Sequence, residues 1–247
     1  MPVAPVILLT ACFENRGSEF ADSSLSLSNR YAKAIVDAGG IPLVMPYTGS
    51  TRLVAEYVTM ANGIMLTGGG DMLPKYFASD LSADLAQTLR VTEPERDELE
   101  VALVRETFLQ RKALLCICRG HQVVNVALGG GMVVDISIEL PNAMLHKDTE
   151  QGVNLMHEID IEPGSRAERF FGANRVRVNS SHHQAVGRLA DSLKATGKTA
   201  DGIVEVLELK DSNELPFFFS VQFHPERNQT EQEGAGRIFS EFVQACR

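Results

Sequence analysis

The sequence predicts an α/β fold, in which helices cover a mainly parallel central sheet and the C-terminal half adds antiparallel strands. Two patterns support this. Up to Gly131, short apolar runs of strand character alternate with segments of helical spacing, which calls for crossover connections and a parallel sheet covered on both faces. After Gly131 the runs are strand-like with few helices between them, the mark of antiparallel additions. No repeat, low-complexity tract or linker interrupts the 247 residues, and 44% apolar content can fill one large core, so residues 1–247 read as a single domain.

In chain order, Val6 to Leu9 is a buried strand. Leu27, Tyr31, Ala34, Ile35 and Ala38 recur at helical spacing until Gly39 and Gly40 stop the helix. Ile41 to Met45 is the next strand, with Pro42 placing it at a sheet edge or at a strand start. Thr51 to Met60 is helical, and Gly63 to Thr67 is a short strand running into Gly68, Gly69 and Gly70. Thr92 is a candidate cap for a long helix with Pro94 and Glu95 in its first turn and Leu99, Ala102, Leu103 and Phe108 on its inner face. Ala113 to Ile117 is a buried strand, and Val123 to Leu128 belongs to the helix that follows. Leu155 to Ile161, Arg175 to Val178, Gly202 to Leu209 and Phe217 to Phe223 are the later strands, and a last helix from about Glu231 to Ala245 packs back on the sheet.

The formal net charge of −9, with no clustered Lys and Arg, argues against a nucleic acid backbone as partner and leaves small molecules or proteins. The first ten residues carry no basic region, and Val6 to Leu9 is too short for a signal peptide or a membrane span, so a cytoplasmic protein is expected. Four cysteines without paired metal-ligand spacing fit reduced thiols better than a disulfide framework.

One of these thiols stands out. Cys118 lies where the strand ending at Ile117 turns into a helix, and nucleophiles on such turns are held beyond the carboxyl ends of strands with their backbone at a helix N-terminus. Unpaired NH groups and the partial positive charge there favour a thiolate. Gly120 suits a tight elbow. The short pattern alone describes a core cysteine at least as well. Cys12 and Cys246 are assigned to packing, and Cys116 faces the sheet interior one pleat away.

A cysteine nucleophile needs a base and a group that orients it. In FFFSVQFHPE, His224 follows a strong strand and Pro225 stiffens the exit so that Glu226 can turn back toward the imidazole. A surface histidine is the alternative; a place at the same sheet edge as Cys118, if the two strands are parallel, favours function. The NH groups of Gly68 to Gly70 and of Arg119 are candidate oxyanion donors, where the alternative is a plain tight turn. A phosphate loop fits less well, because no Gly-Lys-Ser/Thr or GxGxxG pattern follows. In VNSSHHQAV, adjacent His182 and His183 point to opposite faces of an extended chain, so no metal is expected there, and a substrate-binding loop or polar turn fits better.

Taken in order, LTGGGD, CICRGHQ, VNSSHHQ and VQFHPE resemble the class I glutamine amidotransferase-like family, specifically its γ-glutamyl-γ-aminobutyrate hydrolase (peptidase C26-like) branch, over nearly the whole chain. YAKAIVDAGGIPLVMP, ERDELEVALVRETFLQRKALLCICRG and NVALGGGMVVDI add to the likeness. The resemblance implies a flavodoxin-like three-layer α/β/α fold and a triad of Cys118, His224 and Glu226. It also implies an oxyanion hole at Gly69, Gly70 and the Arg119 backbone. A small γ-glutamyl substrate, probed by Gln122 and the Ser180, Ser181 and His182 loop, would be cleaved without cofactor or metal through a γ-glutamyl thioester, releasing glutamate. γ-Glutamyl-γ-aminobutyrate from putrescine breakdown is the substrate the family suggests. A glutaminase subunit serving a synthase partner and a silent binding protein are the alternatives, and a homodimer is compatible with either. Cys116 stands where the family commonly has Gly, and Phe223 where it has Trp.

Overall fold

The computed structural model describes residues 3–47, 50–91, 94–147, 155–227 and 233–247; Thr92, read above as a helix cap, lies outside them. Strand β1 (Val6–Leu9) leads into a small hairpin, β2 (Cys12–Glu14) and β3 (Ser24–Ser26). Helix α1 (Asn29–Asp37) follows, capped by the Ser28 hydroxyl accepting the Arg30 NH, and the chain leaves it through Gly39 at φ +87°. Next come β4 (Ile41–Val44), α2 (Val54–Met60), β5 (Gly63–Leu66), α3 (Ala83–Thr88) and α4 (Pro94–Leu109). Strand β6 (Ala113–Ile117) and helix α5 (Arg119–Ala127) close the alternating half.

The second half holds β7 (Met132–Val133), α6 (Ile136–Glu139), β8 (Leu155–Ile161), α7 (Arg166–Phe171) and β9 (Arg175–Ser180). Then follow β10 (Ala185–Val186), β11 (Leu193–Thr199), β12 (Val204–Leu209), β13 (Phe218–Val221) and α8 (Glu233–Ala245). Nine strands form one sheet in the order β4-β1-β5-β6-β13-β12-β11-β8-β9. The first five are mutually parallel and the last four continue antiparallel. Pro42, which has no NH to donate, sits in the edge strand β4.

Helices cover both faces, giving three layers. Tyr31 and Ile35 of α1, Phe170 of α7 and Phe239 and Phe242 of α8 pack with Leu9, Leu115, Phe217 and Phe219 on one side. On the other, Val58 of α2, Leu103 of α4 and Val123 of α5 pack with Leu8, Ile64, Leu114 and Leu207. The sequence reading missed β11, whose segment LKATGKT is polar and interrupted by Gly197; it becomes a strand because β12 and β8 pair with it from either side.

Candidate active site

The site starts at a strained residue. Cys118 ends the buried strand β6 and caps α5 at φ 52°, ψ −103°, a conformation that side chains other than Gly rarely hold. Its NH donates to Val221 O of β13 (2.8 Å), and its carbonyl accepts the His121 and Gln122 NH groups (3.0 and 3.3 Å), so both neighbours fix the turn. Gly120 is needed by close approach: a Cβ there would lie 2.6 Å from both Cβ and O of Leu66 on β5.

Because β13 runs parallel to β6, with Val221 opposite Ile117, the chain beyond both strands emerges at one edge. His224 stands beside Cys118, since a Cβ on Gly68 would meet both His224 Cε1 (3.0 Å) and Cys118 Cβ (3.7 Å), while its Nδ1 lies 2.8 Å from Glu226 Oε1. Glu226 is buried on the 3-10 turn Pro225–Arg227. The backbone of His224 is clamped by Asn179 of β9: His224 NH donates to Asn179 Oδ1 and Asn179 Nδ2 donates to His224 O, both at 2.8 Å. Tyr31 Oη lies 3.4 Å from His224 Nδ1 and accepts the Gly68 NH at 3.1 Å. Burial works against a charged imidazole, yet the Cys118 sulfur and the Glu226 carboxylate together push its pKa up to about 10.

The Gly68 to Gly70 turn leaves β5 beside this pair and is held by buried charge. Arg96 Nη2 donates to Gly68 O (3.0 Å) and Thr67 O (3.3 Å), and its Nε pairs with Glu100 Oε1 at 2.7 Å. Glu100 and Asp97 in turn hold the buried Arg119 guanidinium. A side chain at Gly69 would have to displace the Arg96 guanidinium, since a Cβ would sit 2.3 Å from Arg96 Nη1. The Arg119 side chain is therefore committed to structure, while Gly69, Gly70, Cys118 and Arg119 together line a cavity of about 50 Å³. Cys12, read from sequence as a packing residue, instead lies half-buried with its sulfur 3.2 Å from Arg96 Nη1 behind this turn. Cys116 packs on the opposite sheet face from Cys118, and burial, followed by the Glu100 charge, holds its thiol well above the ordinary range.

The loop after β9 forms the opposite wall of the cavity with Ser181, His182, His183 and Gln184. Gln122 also lines it and donates to Gln184 O (3.2 Å) and Gln222 Oε1 (3.1 Å). Ser180, by contrast, spends its hydroxyl on His146 O at 2.7 Å. The two neighbouring histidines part. His182 turns into the protein, with Nδ1 2.9 Å from Gln184 O, whereas His183 lies between Asp71 (3.0 Å at Nε2) and Asp135 (3.1 Å at Nδ1). The hydrogen bond to Asp71 raises the His183 pKa, against burial and with help from Asp135. Both polar atoms of the buried Gln184 amide lack a partner among the described residues. A second cavity of about 580 Å³ adjoins the first through Lys147, His182 and His183, and Arg90, Ile136, Leu140 and Met144 are among its walls.

Sequence reasoning gave no site role to Tyr31, Asp71 or Lys147, and it reached Asn179 and Gln184 only as members of the VNSSHHQAV stretch, read as a substrate-binding loop or polar turn. Asp71 and Asn179 stand inside motifs that were recognised, but their partners His183 and His224 are far away in sequence. Lys147 gave no local signal.

Comparison with known proteins identifies the family and the fold. The Peptidase C26 family matches residues 5–226. Protein NtpR of Enterococcus hirae is 32% identical over 215 residues, covering 87% of each chain. The γ-glutamyl-γ-aminobutyrate hydrolase PuuD of Escherichia coli is 27% identical over 250 residues, covering 98% of this chain and 93% of its own. Among solved structures, the glutaminase domain of Trypanosoma brucei CTPS, with acivicin bound, superposes with a TM-score of 0.60 at 13% identity over 98% of this chain and 93% of that one, a likeness of fold.

Proposed function

Since the chain belongs to the Peptidase C26 family, a glutamine amidotransferase-like hydrolase family, we propose that it is a single-domain cysteine hydrolase of γ-glutamyl amides. The observation that carries this reading is His224, placed beside Cys118 and hydrogen-bonded to Glu226, at the shared edge of two parallel strands. The Cys118 sulfur attacks the γ-carbonyl carbon, and its proton, held by His224, passes to the amide nitrogen as the C–N bond breaks. A γ-glutamyl thioester and a free amine result. Water then attacks the thioester, His224 accepts its proton, the C–S bond breaks, and glutamate leaves. Glu226 orients the imidazole, and backbone NH groups of Gly69, Gly70 and Arg119 receive the oxyanion. Gln122, Gln184 and the Ser181 to His183 segment hold the α-amino and α-carboxylate groups of the glutamyl half.

The size of the adjoining cavity favours a substantial amine over ammonia as the leaving group. Arg90 and Lys147 at its walls favour an amine that carries a carboxylate, as γ-aminobutyrate does. The test is glutamate release across γ-glutamyl-γ-aminobutyrate, uncharged γ-glutamyl alkylamides and glutamine. The conjugates should be cleaved in preference to glutamine, and Cys118→Ala should abolish release. A Cys118→Ala protein working at the wild-type rate would remove the mechanism, and a preference for glutamine would remove the leaving-group assignment.

A further inference from the structure

Behind the cavity wall lies a second set of ionisable groups, of which the reaction above uses only the loop that carries His182 and not its inward-facing Nε2. His146, from the loop before β8, His182, from the loop after β9, and Glu205, in the middle of β12, each bring one ligand atom to a common point, all within 4.8 Å of one another. His157 of β8 joins them, with Nε2 3.2 Å from Glu205 Oε1. Glu205 is fully buried, and neither of its oxygens has a hydrogen-bond partner among the described residues. The same holds for His146 Nδ1, His182 Nε2 and both ring nitrogens of His157. Buried polar atoms are seldom left this way, and here they converge.

We propose that these four side chains form a binding site for a tetrahedral divalent metal ion, with zinc the best match. Three imidazoles and one carboxylate are a common zinc ligand set, with bonds of roughly 2.0 to 2.2 Å. A tetrahedron with bonds of that length has ligand-to-ligand edges of about 3.3 to 3.6 Å. Glu205 Oε1 lies 3.2 Å from His157 Nε2, 3.3 Å from His182 Nε2 and 3.9 Å from His146 Nδ1, so the edges from Glu205 are near these lengths, and His157, which stands outside the trio lying within 4.8 Å, has to swing in as the fourth ligand.

The surroundings argue the same way. Metal-bound histidines fix their other nitrogen to a carboxylate or a carbonyl, which sets the tautomer. His146 Nε2 pairs with Asp201 Oδ2 at 2.9 Å, and His182 Nδ1 with Gln184 O at 2.9 Å. In both rings the outward nitrogen is occupied and the inward one is left for the ion. A buried site closed by four protein ligands is structural in type. It would tie the cavity wall at His182 to β12, next to β13, and hold Gln184 and His183 in place. Of the two adjacent histidines, the site takes one, so the sequence argument against a pair of neighbouring ligands does not exclude it.

The experiment loads the metal-free full chain with Co²⁺ and with Zn²⁺. One Co²⁺ per chain should bind with the intense visible bands of a tetrahedral site, and melting temperature should rise with free Zn²⁺. Glu205→Gln and His146→Gln should each weaken uptake at least tenfold, while Cys118→Ser keeps the wild-type spectrum, because the thiol is not a ligand. If Glu205→Gln fails to fold, His146→Gln and the wild-type stoichiometry still decide. Failure of the folded wild type to take up either ion at micromolar concentration overturns the proposal. So does uptake that persists in both site variants and disappears in Cys118→Ser. Neither result bears on glutamate release, so the proposal fails independently of the hydrolase reading.

Discussion

His224 sits between the Cys118 sulfur and the Glu226 carboxylate, and they predict how activity depends on pH. Burial disfavours the imidazolium, but Cys118 and Glu226 raise its pKa to about 10, so His224, the proposed proton donor to the leaving amine, keeps its proton through the neutral range and loses it only in alkali. Replacing Glu226 by Gln keeps the shape and removes one of the charges that raise this value. The alkaline limb of kcat/KM should therefore move to lower pH, and the rate at neutral pH should fall by about 10² or more. A profile with an unmoved alkaline limb would deny Glu226 its orienting role. Lys147 offers a second measurement. Lys147→Ala should raise KM roughly fivefold for a carboxylated leaving amine, the worth of an ion pair of about 1 kcal/mol, and leave uncharged γ-glutamyl amides unaffected. Cys118, His224 and Glu226 could be read from sequence because each sits at the end of a strongly patterned strand. Asn179, His182 and Gln184 could be read only as a polar or substrate-binding loop, since their individual contacts lie with partners brought together by the antiparallel half of the sheet. Glu205 in VEVLEL reads as an ordinary exposed position of a strand, yet both faces of β12 are covered.

At the scale of elements, the elbow depends on how closely α5 approaches β5. The Gly120 Cα faces Leu66 so tightly that an added methyl would meet both its Cβ and its carbonyl oxygen at 2.6 Å, and neither atom can rotate away. Gly120→Ala should lower stability by about 1 to 3 kcal/mol and impair turnover through displacement of Cys118, as read from denaturant unfolding together with kcat. Full stability with full activity would mean that the helix start is looser than the contact implies. The parallel half of the fold was legible because its strands are short apolar runs between helices with clear stops, such as Gly39 after α1. Helix α4 was placed correctly, but its buried face was read as purely apolar. Arg96, Asp97 and Glu100 are buried there as well, because Arg119 and the Gly68 carbonyl provide their partners. A single sequence shows the residues of such a network without showing that they meet.

For the whole molecule, the question is how β9 reaches the site at all. It lies four strand positions from β13 in the sheet, and at about 4.8 Å per strand a flat sheet would set the two roughly 19 Å apart. Asn179 of β9 nevertheless bonds the backbone of His224, just past β13, so the antiparallel half curls back on itself. The register of β11 against β12 breaks on either side of Gly197, and such bulges increase local bend and twist. Gly197 also lies against its neighbour: a Cβ there would sit 2.6 Å from Val206 Cγ2 and 3.0 Å from Val206 Cβ. Gly197→Ala should therefore push β11 and β12 apart, costing about 1 to 3 kcal/mol. Hydrogen exchange should quicken in β8, β9 and β11 while β1, β5 and β6 keep their protection, and turnover should drop as Asn179 releases His224. Adding Val206→Ala removes the nearer clash, so the double variant should be less destabilised than the sum of the two singles and should recover part of the activity. Additive losses, or normal turnover in a Gly197→Ala protein with accelerated exchange, would show that the curl does not position the site.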